Sequence, residues 1–580
     1  MSVTTMKHDK LDEYKRADAP LPEHNVVWPT YGAGFENFGR DERPIETPLP
    51  PAGADELIVR HDACGLCFSD IKIISLGEQH PRIFRDIRQQ PVVQGHEVAM
   101  TVVEVGDDLR DQYHVGDRFI IQADIFKDGV GYAYGYMIDG GLSLYGRIDQ
   151  RVLNGDGGNY LIPIQPRDGY AETALAEPWA CVIAAYELTY RSGLKAGGTT
   201  WIVGTGASDR DYTLSAGFDA AGHPARLLLT DAPPAFAAWL RERAAALGVE
   251  VLDAPDLTAP PVTPSDDIVL LAPTADLVET VSPHLADFGI VALLGDTPLD
   301  RPAQVDIGRV HYNRWTYVGG RRTDVARAYS DVPVRAALRP AGRAWFVGAG
   351  GPMGRMHVQR ALQSPQPPAI IVCTDMGDVR LKALRDTFAA EAAARGIEFV
   401  CINPAHRGVA ADEQAMDHLK EEGFDDIVVL APAPAAIADA ANWLAPQGVM
   451  NIFAGVARGV TTPLDLSAVY LKGVRFIGHS ASDIDDLRLT LHKVETAELS
   501  PNRSVAAIGS LAAARDGLLA VRDSVFPGKV VIYPHIKDLP LTPLSDLKDR
   551  LPTVYAKLKD GREWTIEAEE ELLRVMLPDR

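Results

Sequence analysis

The residues best suited to chemistry lie in two places. Gly348, Ala349, Gly350, Gly351, Pro352, Met353 and Gly354 follow an apolar run at 344–347 and lead into a segment with helical character. Glycine lets a backbone turn tightly and come close to a pyrophosphate, and a helix N-terminus then offers free N–H groups to the anion. A second apolar run, 369–374, ends at Asp375, 21 residues after Gly354, where a carboxylate would accept hydrogen bonds from an adenosine ribose. Strand, turn, helix, strand and acid together predict a dinucleotide site. The other place is rich in donors: Cys64, Cys67, Ser69, Asp70, His96, Glu97 and Glu177. Thiolate, imidazole and carboxylate are the donors of zinc sites. Cys67, His96 and Glu177 are separated by 29 and 81 residues, however, and that spacing alone defines no site.

The elements that must carry these groups follow from the pattern. Residues 1–54 are polar and dotted with proline, and read as a lead-in with one strand near 25–29. Residues 55–190 hold short apolar islands broken by Gly-Asp pairs, the mark of a β-rich domain with tight turns. Within them, 123–170 is rich in Gly, Tyr and Asp and is expected to form long loops. Glu177-Pro178 opens a helix, with proline in a tolerated first-turn position. From 199 onward, apolar strands alternate with alanine-rich helices, as in a parallel α/β sheet. This texture occurs twice, at 199–330 and 343–510. Trp201-Ile-Val-Gly204-Thr-Gly206 matches Trp345-Phe-Val-Gly348-Ala-Gly350, and Leu228-Leu-Thr-Asp231 matches Val372-Cys-Thr-Asp375, each 144 residues on. Asp267–Pro273 echoes Asp426–Pro432, and Tyr317-Val-Gly319 echoes Phe476-Ile-Gly478. A period of a whole domain indicates two tandem nucleotide-binding-type domains, not a solenoid. Residues 520–580 are expected to add a strand, an irregular stretch and a charged helix.

The copies differ chemically. In the first, Arg210 stands at the third glycine of the second, and Asp209 falls near the expected helix N-terminus, where it would repel a pyrophosphate. The cofactor is therefore assigned to the second copy and the first is read as mainly architectural; the alternative is that both bind. Phe453 and Gly455, at the end of a second-copy strand, are candidates to line a nicotinamide pocket, with core packing as the alternative.

At 580 residues the chain has material for roughly four ordinary domains. Hydrophobic content of 46% and charged content of 23% are ordinary for a globular protein. A net charge of −22 argues against nucleic acid or an anionic membrane as partner. The charged N-terminus has no secretory h-region, and no apolar run of about 18 residues predicts a membrane span. Five scattered cysteines suit a reducing cytoplasm better than a disulfide framework.

Cys64-Gly-Leu-Cys67-Phe-Ser69-Asp70, Gly95-His96-Glu97 and Glu177-Pro178, in that order before a nucleotide-binding region and the return strand Gly528-Lys-Val-Val-Ile, resemble the zinc-dependent medium-chain dehydrogenase/reductase family. Residues 120–124, 177–182 and Val310-His-Tyr-Asn313 resemble its polyol and sugar-phosphate branch. The resemblance covers roughly residues 50–535. It implies an α/β protein with a GroES-like β-rich catalytic domain and two tandem Rossmann-type doubly wound domains. It implies that Cys67 and His96 ligate zinc, that Glu177 or Glu97 supplies the carboxylate, and that a position stays open for water or substrate. Asp70 would orient His96, Ser69 would pass the substrate proton, and Lys72 falls where some relatives have a relay histidine. No cysteine lies between Cys67 and Cys181, so the four-cysteine lobe of a structural zinc is missing and a single catalytic zinc is expected.

The activity so implied is interconversion of a secondary alcohol and a ketone on a polyol, sugar or sugar phosphate. Zinc would lower the pKa of the hydroxyl and NAD would take the hydride. Asp375 favours NAD over NADP, a preference weakened by nearby Arg380. Asp124, Tyr134, Tyr136, Asp139, Asp149 and Asn154 are candidates to hold substrate hydroxyls. The rival readings are an epimerase or isomerase that recycles bound NAD, and a non-catalytic NAD-binding scaffold. The duplication further suggests that the first copy supplies, within one chain, a contact that relatives make between subunits; the oligomeric state is left open.

Overall fold

Nine consecutive buried residues, Leu57–Gly65, form the strand around which the first unit is built. The computed structural model describes residues 9–406 and 410–579, so the first eight residues of the expected lead-in lie outside it. The chain divides into two units, 1–183 with 482–580, and 184–481. In the first, Leu57–Gly65 pairs antiparallel with Glu97–Val105, with Tyr145–Ile148 at one end and with the return strand Lys529–Tyr533 at the other. The sheet continues through Arg118–Ile121 and Leu161–Pro163 on one side and Val505–Ser510 on the other. A strand buried along its whole length tolerates charge only in pairs. Arg60 accordingly bonds Asp62 at 2.7 Å, and Asp62 accepts Thr101 Oγ1 at 2.5 Å.

The segment expected as a lead-in is woven into this unit. His24–Val27 pairs with Ile45–Pro48, Trp28 is fully buried against Phe38 and donates to the Leu511 carbonyl, and Leu11 and Tyr14 join the core that holds Trp564 and Leu572. The stretch expected as long loops, 123–170, is more ordered than its composition suggested. It contributes a pairing strand, the helix Gln150–Leu153 and buried Tyr134, Ile138 and Leu142.

The second unit holds two six-stranded parallel sheets. The first runs Glu250–Asp253, Arg226–Thr230, Thr199–Val203, Ser265–Leu271, Leu285–Leu294, Thr316–Gly320. The second runs Glu398–Ile402, Ile370–Thr374, Arg343–Val347, Phe424–Val429, Leu444–Ile452, Arg475–Ile477. Both have the 3-2-1-4-5-6 order of a doubly wound dinucleotide fold, which places ligands beyond the carboxyl ends of the strands. Their near-continuous apolar strands suit sheets covered on both faces. Internal bonds repeat as well: Trp201 Nε1 donates to Thr230 and Trp345 Nε1 to Thr374.

One difference is decisive for chemistry. The second copy has the helix Pro352–Gln363 straight after its glycine turn. In the first copy no helix lies between Val203 and Arg226, so Asp209 is at no helix N-terminus. Ser208 explains the local choice. Its hydroxyl donates to the Leu271 carbonyl at 2.5 Å and accepts the Thr205 N–H at 2.9 Å, side-chain bonds that compete with helical ones.

The copies pair about a pseudo-twofold axis. Ala303–Asp306 lies antiparallel to Thr461–Leu464, with Ala303 opposite Leu464, Gln304 opposite Pro463 and Val305 opposite Thr462. Gln304 and Pro463 are separated by 159 residues, as are Asp267 and Asp426, so equivalent residues meet at the centre. This reciprocity is that of an isologous dimer interface, made here within one chain. A continuous core joins the sheets, from Trp201, Ile268 and Tyr317 to Trp345, Ile427 and Phe476.

Candidate active site

The donor cluster is assembled by the pairing around Leu57–Gly65. Cys67 follows that strand and caps the helix Phe68–Leu76; its backbone N–H donates to Asp70 Oδ2 at 3.0 Å. Glu97 opens the neighbouring strand, directly opposite Gly65. A side chain at Gly65 would overlap the Glu97 carboxylate, so glycine there makes room for it. Gly95, at φ +101°, turns the chain into His96 where a Cβ would press on Cys64 Sγ. The Cys67, His96 and Glu97 donor atoms all lie within 4.8 Å of one another. Cys64 is fully buried outside that trio.

Each ligand candidate has a partner behind it. Asp70, fully buried, sets Oδ1 3.4 Å from His96 Nδ1. Burial opposes charging His96, but the Asp70 carboxylate and the Cys67 sulfur outweigh it and raise the imidazole well above its usual pKa. Lys529, from the return strand, donates to Glu97 Oε1 at 2.5 Å and to the Leu66 carbonyl at 2.7 Å. Glu97 Oε2 is buried without a hydrogen-bond partner. Glu177, in the helix Ala176–Glu187, feels both His96 and Glu97; burial first, then Glu97, pushes its carboxyl up to about 7. These donors fit a divalent cation: a soft sulfur, an imidazole lying beside a carboxylate and an orphaned carboxylate oxygen lie within 4.8 Å of one another.

Around the cluster, Tyr136 sits with its ring 6.1 Å from His96 and 5.5 Å from His80. Arg82 lies over that ring at 4.8 Å and pairs with Asp124 at 2.5 Å. Burial, then Arg82 and Lys72, push His80 down to about 4. Of the loop residues expected to meet substrate, Asp124 and Tyr136 are here. The others are engaged elsewhere: Tyr134 with His61, Asp139 with Arg85, Asp149 with Arg151 and Asn154 with Gln150. Ser69 is half-buried in the helix's first turn, while Lys72 is exposed on the same helix and Phe68 is exposed beside Ser69. Sequence reasoning missed Lys529, Gly65, Arg82 and His80. The available signal was a lysine opening an otherwise apolar strand, which demands a buried partner.

In the second unit, the glycine turn is tied to the next strand. Gly348, at φ +82°, and Ala349 both donate to the Thr374 carbonyl. Gly351 has open space above it, Pro352 is the first helical residue and Met353 follows. A side chain at Gly354 would overlap the Ala349 carbonyl, so the helix can start this close to the turn only with glycine. Asp375 is more engaged than a free ribose acceptor. Oδ2 takes the Gly350 N–H at 2.9 Å, while Oδ1 takes the Gly377 N–H and two Arg380 bonds at 2.9 and 2.6 Å. Met376 and Val379, which follow Asp375 in the chain, are two of the most exposed apolar side chains among the described residues. Phe453 is buried against His357 with ring centres 4.4 Å apart, and Gly455 is exposed at the strand end.

Residues 53–154 match the alcohol dehydrogenase GroES-like domain. The chain is 23% identical over 543 residues to mannitol-1-phosphate 5-dehydrogenase of Aliivibrio fischeri, covering 90% of this chain and 93% of that one. It is 22% identical over 543 residues to L-sorbose 1-phosphate reductase of Klebsiella pneumoniae, covering 92% and 96%. Among solved structures, 2R,3R-butanediol dehydrogenase of Bacillus subtilis aligns at 14% identity and TM-score 0.48, covering 88% and 99%. The resemblance to the zinc-dependent medium-chain dehydrogenases read from the sequence thus extends along nearly the whole chain. The fold is α/β, a GroES-like domain with parallel Rossmann-type sheets. Among the described residues, no helix is long and apolar enough to cross a membrane.

Proposed function

We propose that this chain is a zinc-dependent, NAD(H)-linked oxidoreductase that interconverts a secondary alcohol and a ketone on a polyol, sugar or sugar phosphate. The convergence of Cys67, His96 and Glu97, with Glu97 braced by Lys529, carries the reading. These three, with Glu177 near by, would hold one zinc ion, which when bound supplies Lewis-acid stabilisation of the carbinol oxygen. Asp70 fixes the ring orientation of His96 and thereby its ligating nitrogen. Ser69 takes the hydroxyl proton and passes it outward, and reduction returns it by the same route. The Gly348–Gly354 turn offers its N–H groups and the helix N-terminus to the pyrophosphate. Asp375, releasing Arg380, accepts the adenosine ribose, and Met376 and Val379 give adenine an apolar surface.

Two observations support a phosphorylated substrate. Arg82 lies over the Tyr136 ring, one ring away from His96, and Lys72 is close enough that, after burial, the two cations help hold His80 uncharged. Two relatives that align nearly end to end are named for sugar or polyol phosphates. The test is to mix zinc-loaded protein with NAD and a panel of polyols and their phosphates, following NADH absorbance with Cys67→Ser as control. NADH formed with one substrate class and abolished in the variant supports the reading. No NADH from any substrate, with NAD retained on the protein, would replace it by an enzyme that oxidises and re-reduces its substrate in one cycle. No NADH and no bound nucleotide would leave only a scaffold.

A further inference from the structure

Although the first copy lacks a phosphate-binding helix, one of its side chains reaches the working end of the second. The helix Ile307–Tyr312 lies against the loops that leave strands Leu444–Ile452 and Arg475–Ile477. His311, 2% exposed, places Nδ1 2.9 Å from the Ile452 carbonyl and Nε2 2.9 Å from Ser480 Oγ. A carbonyl can only accept, so Nδ1 donates to Ile452, while Nε2 shares a hydrogen bond with the serine hydroxyl. One imidazole therefore ties both loops together.

The packing allows no slack. A Cβ at Gly478 would stand 2.9 Å from both His311 Cα and the Ile452 carbonyl, and one at Gly308 would overlap the Ala457 carbonyl. Asp306 Oδ2 accepts the Gly459 N–H, and Asn313 Oδ1 accepts Arg458 Nε.

The pseudo-twofold axis repeats the geometry with different chemistry. The position 159 residues after His311 is Tyr470, which donates to the Thr297 carbonyl of the first copy at 2.7 Å. Gly319 there contacts the Leu293 carbonyl and Tyr470, as Gly478 contacts Ile452 and His311. The architecture is thus reciprocal, while the bridging imidazole, carried by the first copy, faces only the copy that keeps its phosphate turn.

In a doubly wound sheet the glycine turn and the acid take the adenosine half of a dinucleotide, and the ends of the fourth to sixth strands take the other half. Those ends here are Val429, Ile452 and Ile477. We propose that the first copy serves as a built-in partner for the cofactor domain, with His311 as the positioning residue that fixes loops 452–455 and 478–480 beneath the nicotinamide ring. This rests on the reading that the second copy binds NAD(H).

The experiment compares NADH with ADP-ribose, which lacks the nicotinamide. Binding of each to the full chain is measured for the wild type, His311→Ala, His311→Asn, Ser480→Ala and Tyr470→Phe, by NADH fluorescence and by calorimetry. His311→Ala should weaken NADH about tenfold, the loss of roughly one hydrogen bond, and leave ADP-ribose unchanged. His311→Asn should recover most of the affinity, because its amide N–H can still donate to Ile452. Ser480→Ala should weaken NADH alone, by a smaller factor. Tyr470→Phe should change neither ligand.

Equal loss of both ligands would make the role of His311 merely structural and overturn the inference, as would no loss of either. If His311→Ala does not fold, the split in Ser480→Ala and His311→Asn decides alone. Wild-type protein that binds neither ligand would overturn the cofactor reading itself, and this inference with it. Binding of both by the wild type with no split among the variants would overturn only the inference.

Discussion

Lys529→Met tests how the donor cluster is held together. Methionine keeps most of the apolar stem but removes the ammonium that donates to Glu97 Oε1 and the Leu66 carbonyl. The side chains of Lys529 and Glu97 are 5% and 0% exposed, so water cannot replace the lost charge. Removing one partner of a buried pair costs about 3–5 kcal/mol. At roughly 2–4 °C per kcal/mol for a large domain, zinc-stripped protein should lose roughly 6–20 °C in the melting transition of the first unit, read by calorimetry on the full chain. Zinc changes the sign of the argument. A divalent cation held by Glu97 supplies the missing counter-charge, and without the ammonium the site repels that cation less. The variant should therefore gain more stability from zinc than the wild type does, by the linkage between binding and folding. Lys529→Met/Glu97→Gln removes both charges and should recover most of the zinc-free loss. The reasoning is refuted if zinc-free Lys529→Met melts within about 2 °C of wild type, if zinc leaves the gap unchanged, or if the double variant is no better than the single.

Three further outcomes are expected. Arg380→Ala frees Asp375 and removes the cation that could meet a 2′-phosphate, so the NAD-to-NADP affinity ratio should rise about tenfold, the scale of one charge-assisted bond; titration with both reduced cofactors checks it. Gly354→Ala forces the helix Pro352–Gln363 away from Ala349 and should abolish NADH binding with little change in circular dichroism. Glu172 has its pKa raised to about 7, by burial first and then by Glu569 and Asp168. Folded protein thus holds that proton more tightly than unfolded protein, so no cost exists below pH 4.5, it grows up to pH 7 and it is complete above. Glu172→Gln should match the wild type near pH 4 and exceed it by about 2–3 kcal/mol at pH 8; equal melting temperatures at pH 8 would sink that account.

What the sequence revealed depended on distance along the chain. The Gly348–Gly354 turn, its strand and Asp375 are contiguous, so local pattern was enough to expect the strand–turn–helix arrangement that the structure has. Both sheets were legible for the same reason, because parallel strands buried on two faces are unbroken apolar runs. The donor cluster was not legible from spacing, since Cys67, His96 and Glu97 come together only through the register of two long strands; family resemblance, not periodicity, pointed to them. Lys529 is 432 residues from Glu97, and nothing local marks it except its charge in an apolar strand. The missing helix of the first copy escaped notice because Gly204-Thr-Gly206 keeps the look of a phosphate turn, while Ser208 spends its hydroxyl on a turn instead.

The two copies also show which features both keep, although only one has a helix straight after its glycine turn. Strand order, the Trp–Thr bonds and the pairing of 303–306 with 461–464 are common to both or shared between them, and all of these serve packing. The glycine turn with its helix and the acid held beside it are what the proposed cofactor reading uses, and the first copy has no such helix. If the first copy were only filler, its contact surface would be free to drift toward a generic apolar interface. Instead its helix presents a histidine to two strand ends of the other copy, where the reciprocal helix presents a tyrosine to one carbonyl. That asymmetry across a pseudo-twofold axis is hard to derive from packing alone, because packing on the two sides is equivalent. It follows directly if only one side has a ligand whose position must be held.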